Sequence, residues 1–179
     1  MSIAHLPAFG KNGHIHVVIE TPRGSTAKLK YDADLDAFTL SRPLVDGVTY
    51  PYDWGFVPST HAEDGDPLDA LVLWDHASYP GVVLACRPVA LLCVEQNSKR
   101  RVGQRERNDR LIVIPDPAPK WSWLSDARDL PTRMKDELET FFAAAVALER
   151  KDLTFLGWRP AADAIELVRA SSTDHVGAS

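Results

Sequence analysis

The sequence predicts an α+β fold, a small β-barrel with helices packed against it in one domain. Three observations carry this expectation. The chain has 179 residues, the size of one domain and a tight fit for two. Its first two thirds hold many short β-prone runs punctuated by Gly and Pro, the pattern of a barrel and not of alternating strand–helix units. Its last third switches to helical spacing. Hydrophobic residues make up 45% and charged residues 25% of the chain, which excludes a wholly disordered polymer.

In order along the chain, His14 to Thr21 reads as a strand, because Ile15, Val17, Val18 and Ile19 are β-formers and Pro22 with Gly24 marks a turn. Ala27 to Tyr31 and Ala37 to Leu40 are expected strands, the latter closed by Pro43. Tyr50 to Pro58 reads as an aromatic-rich loop, because Pro51, Gly55 and Pro58 interrupt it. Asp69 to Trp74 is a buried strand. Gly81 to Val94 is a strand pair or one bent strand, and Arg110 to Ile114 is another strand. Pro131 suits a first helical turn. Met134, Leu138, Phe141, Phe142, Ala145 and Leu148 then recur at helical spacing to about Glu149. Leu153 to Leu156 returns as a strand stopped by Gly157, and Pro160 opens a last helix to about Ala170. Residues 1–170 are expected to form the domain, and 171–179 a frayed tail.

A net charge of −5 argues against a surface devoted to nucleic acid or anionic membrane, and leaves room for one local basic site. Cys86 and Cys93 sit in apolar surroundings and read as buried small hydrophobes, since a chain this long needs no disulfide framework. No secretory leader is expected in Met1 to Gly13. The apolar stretch Gly81 to Val94 is broken by Arg87 and Pro88, too short to span a bilayer. The expected compartment is the cytoplasm.

The chemistry is concentrated in Glu63-Asp64-Gly65-Asp66-Pro67-Leu68-Asp69. Asp64, Asp66 and Asp69 fall within one tight turn, immediately before a buried strand. Gly65 permits the turn and Pro67 stiffens it. Crowded carboxylates repel one another unless protons or a cation intervene. Their hard oxygens suit Mg²⁺, Mn²⁺ or Ca²⁺ and not Zn²⁺. An EF-hand is excluded: Asp69 stands where that loop needs Gly, Leu68 stands at a ligand position, and no helix flanks the turn. A second set of charged residues sits at strand ends: Glu20, then Lys30 and Asp32, then Arg42. The mixture of signs is what a site for a metal-bound anion requires, with carboxylates for the metal and Lys or Arg for phosphate oxygens.

With these residues in place, the chain resembles the soluble family I inorganic pyrophosphatases. The turn Asp64-Gly65-Asp66-Pro67-Leu68-Asp69 matches that family's pattern fully. The frame around it matches in order and spacing: Val18-Ile19-Glu20-Thr21-Pro22, Lys30-Tyr31-Asp32, Arg42-Pro43-Leu44, Tyr50-Pro51, Gly55-Phe56-Val57-Pro58-Ser59-Thr60 and Arg87-Pro88-Val89. The match covers about Val17 to Pro115, and runs on more loosely through Asp129-Leu130-Pro131 and Phe141-Phe142 to Gly157-Trp158. The resemblance implies a closed five-stranded, OB-like barrel with flanking helices. It implies hydrolysis of inorganic diphosphate to two phosphates with Mg²⁺, Mn²⁺ being a substitute. By the same resemblance Asp64 and Asp69 ligate metal, Asp66 accepts the proton of the attacking water, and Lys30 and Arg42 neutralise phosphate oxygens. Glu20 and Asp32 support metals through water. Members of the family are usually homo-oligomers, which leaves a homo-oligomer open for this chain.

The departures fall at functional positions. Asp32 stands where the family usually has Glu, and Trp54 where a Tyr offers its hydroxyl to phosphate. Indole donates a hydrogen bond but accepts none. Arg110 replaces the usual Lys, so that Trp54 and Arg110 become the expected substrate contacts there. Two further Asp ligands flank a hairpin in the family. Here Glu95 lies near the first position and Asn108 falls on the second, with Asp109 adjacent. Either a bulge turns Asp109 inward as a metal ligand, or Asn108 ligates through its amide oxygen. A Tyr-Lys pair on the long helix is replaced by Ala145 and Val146, with Arg150 and Lys151 as candidate substitutes. The hairpin's Lys99, Arg100 and Arg101, with Arg105, Arg107 and Arg110, are open to three readings: a nucleic-acid or nucleotide contact, replacements for the missing donors, or a solvated tip. No aromatic interleaves them, which argues against a single-strand stacking platform. Two rival functions stay open on these departures. The same metal centre could cleave another phosphoanhydride, or the chain could bind phosphate or nucleotide without turnover.

Overall fold

The computed structural model describes residues 2–173. Five strands close into a ring. They are β1 (Ile15–Thr21), β4 (Asp53–Val57), β5 (Leu68–Val72), β8 (Arg110–Pro115) and β6 (Val83–Asn97). Each pairs with the next in that order, and β6 pairs back onto β1. Only the β5–β8 contact is parallel, with Asp69 opposite Arg110. β7 (Arg105–Arg107) and β9 (Thr154–Pro160) extend the sheet from β6. β2 (Ala27–Asp32) and β3 (Ala37–Pro43) form a separate hairpin sheet. Two helices flank the ring, α1 (Thr132–Ala145) and α2 (Ala161–Ser171).

The two faces of the ring strands bury different things. Ile15, Val17, Ile19, Val57, Ala70, Val72, Leu91, Leu111 and Val113 cluster together. Because all five ring strands contribute, this set fills the ring, and Ala164 and Val168 of α2 pack against it. The alternate residues Leu71, Leu73, Leu92, Val94, Ile112 and Ile114, with Trp54, pack under Leu138, Phe141 and Phe142 of α1. A strand's period of two therefore gives the barrel an inner core and an outer wall, and the polar members of the outer wall face the site described below.

Several sequence expectations are corrected. The stretch expected to be an aromatic loop contains β4, whose five residues are all buried. Gly55 belongs in it because a Cβ there would lie 2.0 Å from the Val18 carbonyl oxygen on β1. Of the two alternatives for Gly81 to Val94, the single strand holds, with its bounds moved to Val83–Asn97 and register shifts near Pro88 and Cys93. Gly157 does not stop β9 but sits within it at φ 111°, which glycine tolerates. Leu148 lies beyond α1 and is exposed. Of the expected tail, Ser171 ends α2 and Thr173 N–H donates to the Ser59 carbonyl at 2.9 Å. Residues 174–179 lie outside the described residues.

Candidate metal and phosphate site

The site lies on the outer wall of the ring, under the β2–β3 hairpin. A cavity of about 610 Å³ is lined by Glu20 of β1, Lys28, Lys30 and Asp32 of β2 and Arg42 of β3. Asp64, Asp66 and Asp69, with Lys99, Asn108 and Lys151, complete it. Of the four lining residues of β2, Lys28, Lys30 and Asp32 occupy alternate positions on one face of the strand, and Tyr31 lies between them. A deeper recess adjoins it and shares Lys28, Arg42, Asp69, Asn108 and Lys151. Trp54, Arg110, Phe141, Phe142, Ala145 and Val146 form its wall.

The carboxylates are held by the fold. Glu20 is buried, and its Oε1 accepts the Tyr31 N–H at 2.8 Å. Burial is the main cause that pushes this carboxyl up to about 7, against the opposing pull of that hydrogen bond and of Lys28. Asp64 is also buried, and its Oδ1 accepts the Asp66 N–H at 3.1 Å, closing the turn. Asp32 Oδ1 accepts the N–H groups of Asp34 and Leu35 and so caps the β2–β3 turn. Lys99 Nζ donates to Asp64 Oδ2 at 3.1 Å and to Asp66 Oδ2 at 2.6 Å, and Lys30 Nζ stands 3.6 Å from Asp66. Burial alone would raise Asp66, but the hydrogen bond and charge of Lys99 outweigh it and hold the carboxyl below its usual range.

The cations are arranged around the recess. Arg42 is anchored, its Nη2 donating to the Ala145 carbonyl at 3.0 Å and its Nε lying 3.4 Å from Glu149. Arg110 is buried, with its guanidinium 4.6 Å from the Phe142 ring centroid and 5.7 Å from that of Trp54. Its Nε and the indole Nε1 of Trp54 are buried without a hydrogen-bond partner. Buried donors left unpaired are costly, and here both belong to residues of the recess wall. Burial lowers Lys28, and lowers Lys151 to about 8, where Lys28 and Lys99 add to the effect.

Seven residues expected at the site, Glu20, Lys30, Asp32, Arg42, Asp64, Asp66 and Asp69, line one cavity, and Trp54 and Arg110 line the adjoining recess. Asp109 does not join them. Its Oδ1 accepts the Val94 N–H at 2.9 Å and both its oxygens take the Arg107 guanidinium, so strand alternation holds it on the opposite face. Asn108 faces the cavity instead. Its Nδ2 donates to Gln96 Oε1 at 3.3 Å, and both amides are buried. Glu95 is spent on Arg105 at 3.4 Å. Arg105 also binds Asp152 and Thr154, so neither it nor Arg107 reaches the cavity. Lys28 was missed by the sequence reading, although its position two residues before Lys30 on a strand was the available signal.

Among the described residues no three carboxylates converge on one point as they stand. The donor set nevertheless fits a hard divalent cation. It is all carboxylate oxygen, and both Glu20 and Asp64 are buried, Glu20 with its carboxyl pushed up mainly by that burial. Facing carboxylates and lysines across one trough are the makings of a cation-dependent site for a phosphate compound. The comparisons agree with that class. The sequence model of the family described as inorganic pyrophosphatase matches residues 17–175. An inorganic pyrophosphatase of Synechocystis is 36% identical over 168 residues, covering 94% of this chain and 95% of that one. That of Thermus thermophilus is 40% identical over 166 residues, 91% of each. The crystal structure of the Thermus thermophilus inorganic pyrophosphatase superposes with a TM-score of 0.86 at 39% identity, over 96% of this chain and 97% of that one. The Helicobacter pylori structure gives 0.78 at 30% identity, over 96% and 94%. The chain belongs to the inorganic pyrophosphatase family.

Proposed function

We propose that this protein hydrolyses inorganic diphosphate to two phosphates. The observation that carries the reading is the convergence of five carboxylates and five cationic side chains on one cavity, Glu20, Asp32, Asp64, Asp66 and Asp69 facing Lys28, Lys30, Arg42, Lys99 and Lys151. Diphosphate is strongly anionic, so an approaching nucleophile is repelled until positive charge is supplied. A bound divalent cation, Mg²⁺ with Mn²⁺ as substitute, supplies charge neutralisation and lowers the pKa of water. Asp64 and Asp69 would hold it, with Glu20 and Asp32 reaching it through water.

Asp66 is the proton acceptor. Kept ionised by Lys99 and Lys30, it takes the proton of the attacking water as the new P–O bond forms and the bridging P–O bond breaks. Lys30 and Arg42 neutralise oxygens of the attacked phosphate. The departing phosphate lies toward the recess, where Arg110, Lys28 and Lys151 supply charge and the unpaired Trp54 N–H supplies a donor. These residues stand in for the Tyr-Lys pair replaced by Ala145 and Val146. Residues 1–170 act as one domain in this account. No helix among the described residues is long and apolar enough to cross a membrane. Two free, buried cysteines suit a reducing compartment, and we place the protein in the cytoplasm.

A substrate panel tests the assignment. With Mg²⁺ present, diphosphate should be cleaved at least about 100-fold faster than tripolyphosphate or a nucleoside triphosphate, because the five cationic side chains are gathered on one cavity for a small, densely charged anion. A faster rate with one of the longer phosphoanhydrides would pass the role of substrate to it. Binding of diphosphate without any turnover would make the chain a binder.

A further inference from the structure

The Ser98–Gln104 segment between β6 and β7 has a defined course. Ser98 N–H donates to the Gln104 carbonyl at 2.8 Å, and Gln104 N–H donates to the Arg101 carbonyl at 3.2 Å. Ser98 Oγ accepts the N–H groups of Arg100 and Arg101, and Glu106 Oε1 accepts the Lys99 N–H at 3.3 Å. This tip lies against the acidic turn. A Cβ on Gly65 would fall 2.1 Å from the Arg100 guanidinium, so that side chain covers the bare glycine. Beside it the Lys99 ammonium reaches Asp64 and Asp66 together. An ammonium accepted by two carboxylates at 3.1 and 2.6 Å does what a bound cation does there, apart from carrying one charge instead of two.

A second observation points the same way. The cavity wall also carries the neutral Asn108 amide, whose Nδ2 donates to the buried Gln96 behind it. The buried Glu106 is turned to Gln96 Nε2 and the Lys99 N–H, and a fixed positive charge is already in place at Asp64 and Asp66. A divalent ion entering between those two carboxylates would have to expel the ammonium or bear its repulsion, and Asn108 would offer it a neutral amide oxygen in place of a charged ligand.

We propose that Lys99 is a tethered cation. Its ammonium takes the place of one divalent ion at the Asp64–Asp66 pair, so the chain assembles its centre with one ion fewer than its carboxylates could hold. The inference rests on reading the cavity as a cation-dependent diphosphate site. It makes Lys99 a positioning residue, which fixes both carboxylates of the turn through Asp64 Oδ2 and Asp66 Oδ2 and leaves the remaining metal to Asp69 and the other oxygen of Asp64, with Glu20 and Asp32 reaching it through water.

The test counts ions without using turnover. Mn²⁺ is titrated calorimetrically, and by its electron paramagnetic resonance signal, into the full-length protein and into Lys99→Met. Lys99→Ala is a second variant, and circular dichroism checks the fold. Lys99 is on an exposed tip and carries none of the core. Each variant should bind one more Mn²⁺ than the parent, at least about tenfold tighter than any residual site there. Equal numbers and affinities in all three proteins would overturn the tethered cation and leave the metal reading standing. No Mn²⁺ bound by any of them would overturn both. No Mn²⁺ on the parent with one ion on each variant would support the tethered cation and sink the metal dependence of the parent.

Discussion

Glu20 makes the metal-free protein less stable as pH rises toward neutrality. Its carboxyl is 6% exposed and keeps one backbone hydrogen bond, and burial moves it from 4.5 to about 7. The folded state therefore binds a proton that the unfolded state has released throughout that interval. Stability falls wherever the native state holds more protons. The contribution is fully present below about pH 4.5 and is lost as pH rises through about 7. At about 1.4 kcal/mol per unit, the whole effect is roughly 3 kcal/mol, of which about 2.5 kcal/mol falls between about pH 5 and pH 8. The measurement is urea unfolding in excess chelator across that range, for the parent and for Glu20→Gln, which keeps the shape and cannot ionise. With a slope of about 2 kcal/mol per molar urea, the midpoint difference between the two proteins should move by about 1 M. Parallel pH profiles would refute the claim that an uncompensated carboxylate is buried there. Added Mg²⁺ should flatten the parent's profile, because a cation stabilises the ionised form.

Three further outcomes are expected. Asp66→Asn should lower kcat by about 100-fold or more with an unchanged melting temperature, since it removes the proposed proton acceptor and leaves the turn; near-normal turnover would remove Asp66 from that role. The KM for diphosphate should rise as pH passes about 8, where Lys151 loses its proton, and Lys151→Arg should abolish that rise; a flat parent profile would take Lys151 out of substrate binding. Gly55→Ala should cost about 3 kcal/mol or more, read by thermal unfolding, because its Cβ would meet the Val18 carbonyl; an unchanged melting temperature would contradict the close approach of β4 to β1.

What was legible in the sequence divides by physics. β1 and β8 were readable because their β-branched runs are buried, and β5 because its short apolar run follows the acidic turn. β4 was misread because Gly55 looks like a breaker in a chain and is a packing requirement in the barrel. Gly157 misled in the same way, breaking the pattern inside β9 where only the backbone bulges. In the site, the gathering of the acidic turn's carboxylates on one cavity was legible, since Asp64, Asp66 and Asp69 are neighbours in sequence around Gly65 and Pro67. The strand-end charges of Glu20, Lys30, Asp32 and Arg42 were legible through spacing and resemblance. The choice between Asn108 and Asp109 was not, because alternation gives two opposite faces and only the partners, Gln96 for one and Arg107 for the other, tell which is which. Lys99 carried its charge in plain sight, but no periodicity sets the course of a hairpin tip. Its place over Asp64 and Asp66 follows from hydrogen bonds that a sequence does not display.

The central claim is that this cavity, with its altered donors, turns over diphosphate. It is tested most directly by phosphate release from inorganic diphosphate by the purified protein, with Mg²⁺ and with chelator. The account predicts rapid release that needs Mg²⁺ and disappears with chelator. No release from a folded protein that binds Mg²⁺ would contradict it, and would mean that Trp54, Arg110, Lys28 and Lys151 do not replace the missing Tyr-Lys pair.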